Sequence, residues 1–197
     1  MAAKISKAVI PVAGLGTRML PATKAIPKEL LPVYDRPIIE HVVKEAIAAG
    51  ISEIILVTRS GKEAIENHFD AHYELEHRLE KKGKETILGK VKNIIPDRVK
   101  ITSIRQNDAL GLGHAVLCAR HLIGDEPFAV LLPDVLVLDK PSRPRNYSFV
   151  RLVEAWEATG IGQVMVERVG MDAVENYGIA DIASPDLEPF SSVELRA

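Results

Sequence analysis

Short apolar runs that alternate with amphipathic stretches constrain the fold of this chain more than any other sequence feature. Apolar runs rich in β-branched residues are typical of buried strands, whereas apolar residues at i, i+4 and i+8 spacing mark one face of a helix. We expect strands at residues 7–13, 53–58, 99–105, 127–132 and 163–166, and helices at residues 38–47, 62–93, 114–122 and 149–156. This alternation predicts an α/β fold with a mostly parallel central sheet and helices on both of its faces.

In two of the predicted helices, the apolar pattern predicts which side chains are buried. The first places Ile38, Ile39, Val42, Val43, Ala46 and Ile47 on one side, and Gly50 stands where a glycine commonly ends a helix. The long polar stretch from residue 62 to residue 93 has Leu75, Leu79, Ile87 and Leu88 as its expected inward side chains. We also expect a polar loop over residues 140–147 and no closing element after residue 184.

The first strand leads directly into a glycine-bearing turn, Gly14-Leu15-Gly16-Thr17-Arg18. Glycine has no Cβ, so backbone N–H groups in such a turn can approach a ligand closely. A loop of free N–H groups backed by cations suits a polyphosphate, which makes a nucleotide the first ligand to consider. The turn lacks the Lys-Ser/Thr of a Walker A loop, and Met19 stands where a dinucleotide fingerprint needs its third glycine.

Three cations follow or belong to this turn, namely Arg18, Lys24 and Lys28. The Gly-x-Gly pattern alone fits a purely structural turn equally well. Arg18 and Lys28 favour the nucleotide, because a guanidinium offers bidentate contacts to phosphate oxygens and an ammonium offers a point charge.

Two more polar positions follow predicted strands. Asp134 comes directly after an apolar run, at the edge where ligands of open α/β sheets bind, and its carboxylate could hold Mg²⁺ against phosphates. A turn-capping aspartate is the alternative. Gln106 ends the third strand, and its amide could pair with a base edge, while Gly111 opens a second turn with room for close backbone approach. A polar loop with a glycine at a helix entry is the alternative there.

The composition of the chain limits the kinds of partner that it can be expected to bind. The 197 residues contain 25 Lys and Arg against 27 Asp and Glu, so no overall basic field exists to attract nucleic acid or an anionic membrane. A single cysteine, Cys118, excludes an internal disulfide and fits a reducing compartment. We see neither a signal-peptide core nor an apolar stretch of about 18 residues, and therefore expect a cytoplasmic protein.

The stretches 11–18, 21–29 and 30–37 closely resemble the start of the sugar-nucleotide pyrophosphorylases, a nucleotidyltransferase family. The likeness continues through residues 65–70, 111–118 and 132–135 and covers roughly residues 5–182. Ala-Ile-Pro-Lys-Glu at 25–29 and Gly-Leu-Gly-His-Ala at 111–115 resemble the uridylyl branch of the family in particular.

The resemblance implies a three-layer α/β/α, Rossmann-like domain that makes UDP-glucose and pyrophosphate from UTP and glucose 1-phosphate with Mg²⁺. It implies a nucleotide site, two phosphate-binding catalytic cations, a magnesium ligand and a sugar-binding pair. By that likeness the nucleotide site consists of Ala13, Gly14, Leu15, Gly16, Thr17, Gln106 and Gly111. The two catalytic cations are Arg18 and Lys28, the magnesium ligand is Asp134, and the sugar-binding pair is Tyr177 with Gly178. An ordinary turn before a strand is the alternative for the last pair. Homo-oligomers are expected from the family.

The chain also departs from the family pattern. The family's Glu-Lys-Pro segment, expected soon after residue 191, does not occur. We therefore expect residues 1–197 to be the N-terminal part of a single catalytic domain whose C-terminal third is absent. Two alternatives remain: a sister enzyme using dTTP or another sugar 1-phosphate, or a nucleotide-binding fragment or regulatory paralogue without turnover. The presence of Thr17 and Arg18 argues against the paralogue.

Overall fold

The computed structural model describes residues 3–137 and 147–183. These residues fall into two compact units, residues 4–137 and residue 3 together with residues 147–183. The elements are β1 (Lys7–Pro11), β2 (Pro32–Val33), β3 (Arg36–Pro37), α1 (Ile38–Ala48), β4 (Glu53–Thr58), α2 (Glu63–Phe69), α3 (Tyr73–Lys81), α4 (Glu85–Lys92), β5 (Lys100–Arg105), α5 (Leu112–Cys118), α6 (Arg120–Ile123), β6 (Phe128–Val130) and α7 (Tyr147–Thr159). The predicted α/β class is confirmed.

The central sheet is parallel throughout, with the spatial order β5-β4-β1-β6. Val9 of β1 lies opposite Ile55 of β4 on one side and Val130 of β6 on the other. The chain adds β4 and β5 to one edge of β1 and then returns to add β6 to the opposite edge. In open α/β sheets, the crevice where the strand order reverses is the ordinary place for a ligand. The segments that follow β1 and β6 flank that crevice here.

The two middle strands are buried on both faces. Ala8, Val9 and Ile10 of β1 are fully buried, and so are nearly all the side chains of β4. Strands covered on both faces read as continuous apolar runs, which explains why these two could be recognised from the sequence. The edge strand β5 is different, since only Ile101 and Ile104 are partly covered and the remaining positions are exposed.

Helix α1 confirms both its predicted face and its predicted end. Ile39, Val42, Val43 and Ala46 are buried, and Ile38 and Ile47 are partly covered. Gly50 has φ +93°, and its N–H donates to the Ile47 carbonyl at 3.1 Å. The N–H of Ile51 donates to the Ala46 carbonyl at 3.1 Å, and the Ile51 side chain is fully buried. This is a Schellman ending, which needs the left-handed conformation at Gly50.

The single helix predicted over residues 62–93 is wrong. The stretch contains α2, α3 and α4, separated by short turns. Asp70 adopts an extended conformation after α2, and Gly83, with φ +64°, follows α3. Leu75 and Ile87 are 41% and 47% exposed, so these two were wrongly expected to be buried, whereas Leu79 and Leu88 are partly covered. A glycine that leaves the helical conformation interrupts the helix regardless of the periodicity on either side.

The strand predicted over residues 163–166 is also wrong. Val164 and Met165 are 67% and 40% exposed, and none of residues 163–166 joins a strand ladder within the described part of the chain. A short apolar run becomes a strand only where a neighbouring strand accepts its hydrogen bonds. The predicted loop at 140–147 and the tail after residue 184 fall outside the described residues, except for Tyr147, which begins α7.

The second unit is built around α7. Phe149 and Val153 are buried on one side of this helix, as its apolar pattern predicts. The indole Nε1–H of Trp156 donates to the carbonyl of Ala3 at 3.1 Å. Across both units, no described helix combines the length and the hydropathy that crossing a bilayer requires.

We predict that Gly50→Ala lowers the free energy of unfolding by about 1–2 kcal/mol, the cost of a left-handed backbone at a residue with a Cβ. The space itself is open, because the nearest atom to such a Cβ would be Lys4 Cε at 3.8 Å. Gly89→Ala, inside α4, is the matched control and should raise stability by about 0.5–1 kcal/mol. Urea unfolding measures both, and equal effects of the two substitutions would contradict the conformational explanation.

Candidate functional site

The glycine turn after β1 presents a row of free backbone donors. The Val12 N–H still belongs to the sheet and donates to Val57 at 2.8 Å. The N–H groups of residues 13–17 donate to no acceptor among the described residues. Gly14, Leu15 and Thr17 are exposed, and Ala13 and Gly16 are partly covered. The predicted loop of free N–H groups is therefore present at the carboxyl edge of the sheet.

Gly16 fixes the shape of this turn. Its φ is +69°, and its carbonyl accepts hydrogen bonds from the Met19 N–H at 3.0 Å and from Thr23 Oγ1 at 2.7 Å. A Cβ at Gly16 would stand 3.3 Å from Lys28 Cβ and 3.4 Å from two Thr23 carbons. Both the conformation and the close packing therefore require glycine here.

Lys28 connects the two sides of the crevice. Its side chain passes beside the turn, since a Cβ at Gly14 would lie 3.9 Å from Lys28 Nζ. The same Nζ pairs with Asp134 Oδ2 at 2.5 Å, and the two side chains are 16% and 27% exposed. Asp134 follows β6, so this ion pair brings together the segments that leave β1 and β6. The sequence predicted both residues as site residues but did not predict that they would contact each other.

A second ion pair, between Glu29 and Lys62, is buried and fixes the residue next to Lys28. Glu29 is fully buried, and its Oε2 accepts a hydrogen bond from Lys62 Nζ at 2.8 Å. Lys62 immediately precedes α2, so the pair attaches the short turn Lys28–Leu30 to the beginning of that helix. The other carboxylate oxygen, Glu29 Oε1, is buried without a hydrogen-bond partner among the described residues. Sequence reasoning missed this pair, although an acidic residue directly before two leucines was a usable signal.

Gln106 and Gly111 also contact each other, and their common base-binding role stays a prediction. The Gln106 N–H donates to the Thr58 carbonyl at 2.8 Å, which places Gln106 just beyond β5 and beside the end of β4. Its side-chain Nε2 lies 3.1 Å from the Gly111 carbonyl oxygen and 3.0 Å from His114 Nδ1. Since adjacent strands lie about 5 Å apart, Gln106 is about 10 Å from the glycine turn, two strands away on the same edge.

Helix α5 begins at the polar group formed by Gln106, Gly111 and His114, and it packs against the middle of the sheet. Ala115 and Ala119 pack in one cluster with Val9 of β1 and Val57 of β4. Cys118 is partly covered and packs against the same cluster, as its apolar neighbours predict. The beginning of α5, at Gly111 with φ +90°, therefore faces the carboxyl edge of the two central strands.

The remaining predicted residues are less constrained. Arg18 is exposed in the turn Thr17–Met19, and its guanidinium makes no ion pair with a described residue. Tyr177 and Gly178 belong to the second unit, where they follow the short turn Val174–Asn176, and Tyr177 is 59% exposed. Their sugar-binding role stays a prediction.

Asp134 provides the test of the predicted magnesium site. Within the described residues, no group of three or more His, Cys, Asp or Glu side chains could hold a metal ion. One oxygen of Asp134 pairs with Lys28, and no hydrogen bond to the other, Oδ1, occurs in the described part of the chain. Mg²⁺ usually takes one or two carboxylates and fills its shell with phosphate oxygens and water. Asp134 therefore fits Mg²⁺ together with a phosphate-bearing ligand, and does not form a site by itself.

One carboxyl group near this edge has a clearly shifted acidity. Backbone N–H groups, first its own and then that of Gly61, lower the pKa of Glu63, and the charge of Arg105 contributes less. Glu63 is the first residue of α2, where N–H groups are free to stabilise a carboxylate. We attribute the shift to the helix end and not to the chemistry of the crevice.

Comparisons with known proteins identify the family to which the chain belongs. Residues 7–191 match the family model described as "Nucleotidyl transferase", and the chain belongs to that family. The UTP–glucose-1-phosphate uridylyltransferase of Haemophilus influenzae is 51% identical over 191 residues, which are 97% of this chain and 65% of that protein. The chain therefore spans less than two thirds of that relative's length.

Two solved structures extend the likeness to the fold. The UTP-bound UGPase from Acinetobacter baumannii is 49% identical with a TM-score of 0.90, and the match covers 97% of this chain and 66% of that one. A UDP-glucose pyrophosphorylase complexed with UDP-glucose is 36% identical with a TM-score of 0.76, over 93% of this chain and 65% of that one. The predicted nucleotidyltransferase fold is confirmed.

We predict that Lys62→Met lowers the free energy of unfolding by about 3–5 kcal/mol, because it leaves the buried Glu29 carboxylate without its counter-charge. The double variant Glu29→Met/Lys62→Met should recover most of that loss, since it removes both charges and keeps similar volumes. Chemical denaturation of the two variants and the parent protein measures the difference. If the double variant is less stable than Lys62→Met, the unpaired Glu29 carboxylate does not explain the destabilisation.

Proposed function

We propose that the protein is a uridylyltransferase that makes UDP-glucose and pyrophosphate from UTP and glucose 1-phosphate. The observation that carries the proposal is the row of free N–H groups at residues 13–17, with Lys28 beside it, at the crevice where the strand order reverses. Such donors and a cation at this place suit a nucleoside triphosphate. The names of the relatives, which include a UTP-bound and a UDP-glucose-bound protein, support the identity of the nucleotide and the sugar.

The proposed reaction requires little acid–base catalysis by the protein. A phosphate oxygen of glucose 1-phosphate attacks the α-phosphorus of UTP in line, and pyrophosphate leaves from the opposite side. The attacking oxygen is already ionised, so no general base is required. The obstacle is the approach of two polyanions, and fixed positive groups that hold the phosphates lower it.

The residues of the crevice divide this work between base and phosphates. We propose that the backbone of Ala13 and Gly14 holds the uracil ring with help from Gln106 and Gly111. The N–H groups of Leu15, Gly16 and Thr17 then continue along the triphosphate.

Arg18 and Lys28 are proposed to hold the β- and γ-phosphates. Arg18 is exposed without an ion pair to a described residue, so its guanidinium can turn toward a bound phosphate. Lys28 can exchange its contact with Asp134 for phosphate oxygens, because its amino group already lies beside the turn.

Asp134 is the residue that would hold Mg²⁺. When bound there, the ion would offset phosphate charge and favour departure of pyrophosphate. The exchange of Lys28 onto phosphate would free Asp134 Oδ2 for that role, so one event prepares both groups. We further propose that Tyr177 and Gly178 contact the glucose hydroxyls, that the protein acts in the cytoplasm, and that it forms homo-oligomers.

We predict that the purified protein binds UTP in the presence of Mg²⁺ and releases pyrophosphate when glucose 1-phosphate is added. Calorimetry measures the first step and a pyrophosphate assay the second, with dTTP, CTP and GTP as comparison nucleotides. Faster turnover with dTTP would favour the sister enzyme, and UTP binding without turnover would favour a binding fragment. If crystals soaked with UTP show it away from residues 13–18, the proposal is wrong.

We predict that Arg18→Ala lowers turnover by on the order of 10²-fold or more, the scale of losing one electrostatic donor to the reacting phosphates. Arg120→Ala is the matched control, since Arg120 is exposed on α6 outside the crevice. Steady-state kinetics of pyrophosphate release compares the two. A loss of less than a few-fold for Arg18→Ala would contradict its assigned role.

A further inference from the structure

We propose that His114 is a positioning residue that sets the nucleobase specificity of the site. It holds the Gln106 amide so that only the amide oxygen faces the ligand, which among the pyrimidines selects those with a ring N–H donor, uracil or thymine, over cytosine. This inference rests on the proposed function, because it requires a nucleotide base to lie against Gln106.

The orientation of the Gln106 amide follows from the chemistry of its neighbours. The Gly111 carbonyl oxygen can only accept a hydrogen bond, so the amide group 3.1 Å away must be the NH₂ and not the oxygen. The same NH₂ lies 3.0 Å from His114 Nδ1. An NH₂ carries two hydrogens, and these two acceptors use both of them. Rotating the amide by 180° would place its oxygen against the Gly111 oxygen, which is unfavourable.

The hydrogen bond that Gln106 donates also determines which nitrogen of the neutral His114 ring carries the proton. Nδ1 accepts a hydrogen bond, so it carries no proton, and in the neutral ring the proton lies on Nε2. Nε2 lies 4.0 Å from Cys118 Sγ, one turn further along α5, and sulfur is a weak acceptor. The groups thus form a consistent chain in which Gln106 donates to His114 and His114 faces Cys118.

The scaffold keeps both acceptors in place. Gly111 and His114 belong to the beginning of α5, and Ala115, the next residue, is buried in the cluster that contains Val9 and Val57. Gln106 itself is 9% exposed and is attached to the end of β4 through its backbone N–H. The amide therefore has little freedom to adapt to a different base.

What remains for a ligand is a single acceptor, Gln106 Oε1. No hydrogen bond to this atom occurs among the described residues, and it is absent from the fully buried unpaired groups. Uracil and thymine offer a donor, N3–H, at the centre of their pairing edge. Cytosine has an unprotonated N3 there, so two acceptors would oppose each other. A site whose polar group is committed in this way rejects the mismatched analogue more strongly than an apolar pocket could.

The test replaces the acceptor without changing the bulk of the side chain. His114→Leu puts a methyl group near the position of Nδ1, so one amide hydrogen of Gln106 loses its partner and only the Gly111 carbonyl still holds the amide in this orientation. We expect the parent protein to bind Mg–UTP about 100-fold more tightly than Mg–CTP, and His114→Leu to reduce that ratio by about 10-fold. Calorimetric titration with each nucleotide measures the ratio.

Two matched variants separate positioning from general damage. His114→Asn keeps an acceptor on Cγ where Nδ1 stands, and it should restore most of the UTP preference. His121→Leu makes the same change at an exposed histidine of α6 and should leave the ratio as in the parent. Thermal unfolding of each variant identifies any that fail to fold, in which case the comparison between His114→Asn and the parent carries the test.

The outcomes distinguish this inference from the proposed function. A reduced ratio in His114→Leu, restored in His114→Asn, supports the positioning role. If the parent binds UTP but the Leu variant keeps the full preference over CTP, or the folded Asn variant loses it, the role of His114 is wrong while the proposed function stands. If the parent binds neither nucleotide, both fail together.

Discussion

The ion pair between Lys28 and Asp134 is the contact on which the candidate site depends. It joins the segment that follows the first strand of the sheet to the segment that follows the last, at the crevice where the strand order reverses. The Lys28 ammonium lies beside the row of free N–H groups and pairs with the Asp134 carboxylate, and in the proposed function it exchanges that carboxylate for a phosphate. The buried pair of Glu29 with Lys62 holds the same short turn from behind, so Lys28 is positioned by its neighbour in the chain as well as by its partner.

Different physics serves the two ends of the proposed nucleotide. At the phosphate end, backbone N–H groups together with Arg18 and Lys28 would supply positive charge in the proposed function. At the base end, a buried amide with both hydrogens committed provides direction, because a single remaining oxygen distinguishes a donor from an acceptor. Leu15, Thr17 and Arg18 at the proposed phosphate end are exposed, whereas Gln106 at the proposed base end is 9% exposed.

Much of the fold and part of the site could be predicted from the sequence. The central strands and α1 have patterns that are complete within a few residues. Gly14, Gln106 and Asp134 lie within two residues of the ends of predicted strands, and Gly16 and Lys28 belong to the segment that follows the first strand. The failures have equally local causes. The helix over residues 62–93 ignored the break at Gly83, and the strand at 163–166 had the right residues but no neighbouring strand to pair with. The roles of Tyr177 and Gly178 stay predictions, since they rested on resemblance alone.

By itself the sequence determined the central strands and α1, and that a glycine turn with cations follows the first strand, because periodicity and backbone freedom are properties of neighbouring residues. Only the tertiary structure decided that Lys28 meets Asp134, that Glu29 meets Lys62, and that Gln106 meets His114 as well as Gly111. These contacts depend on which strand lies beside which and on how helices cross the sheet. The order of strands is settled by burial across the whole unit, which no short pattern encodes.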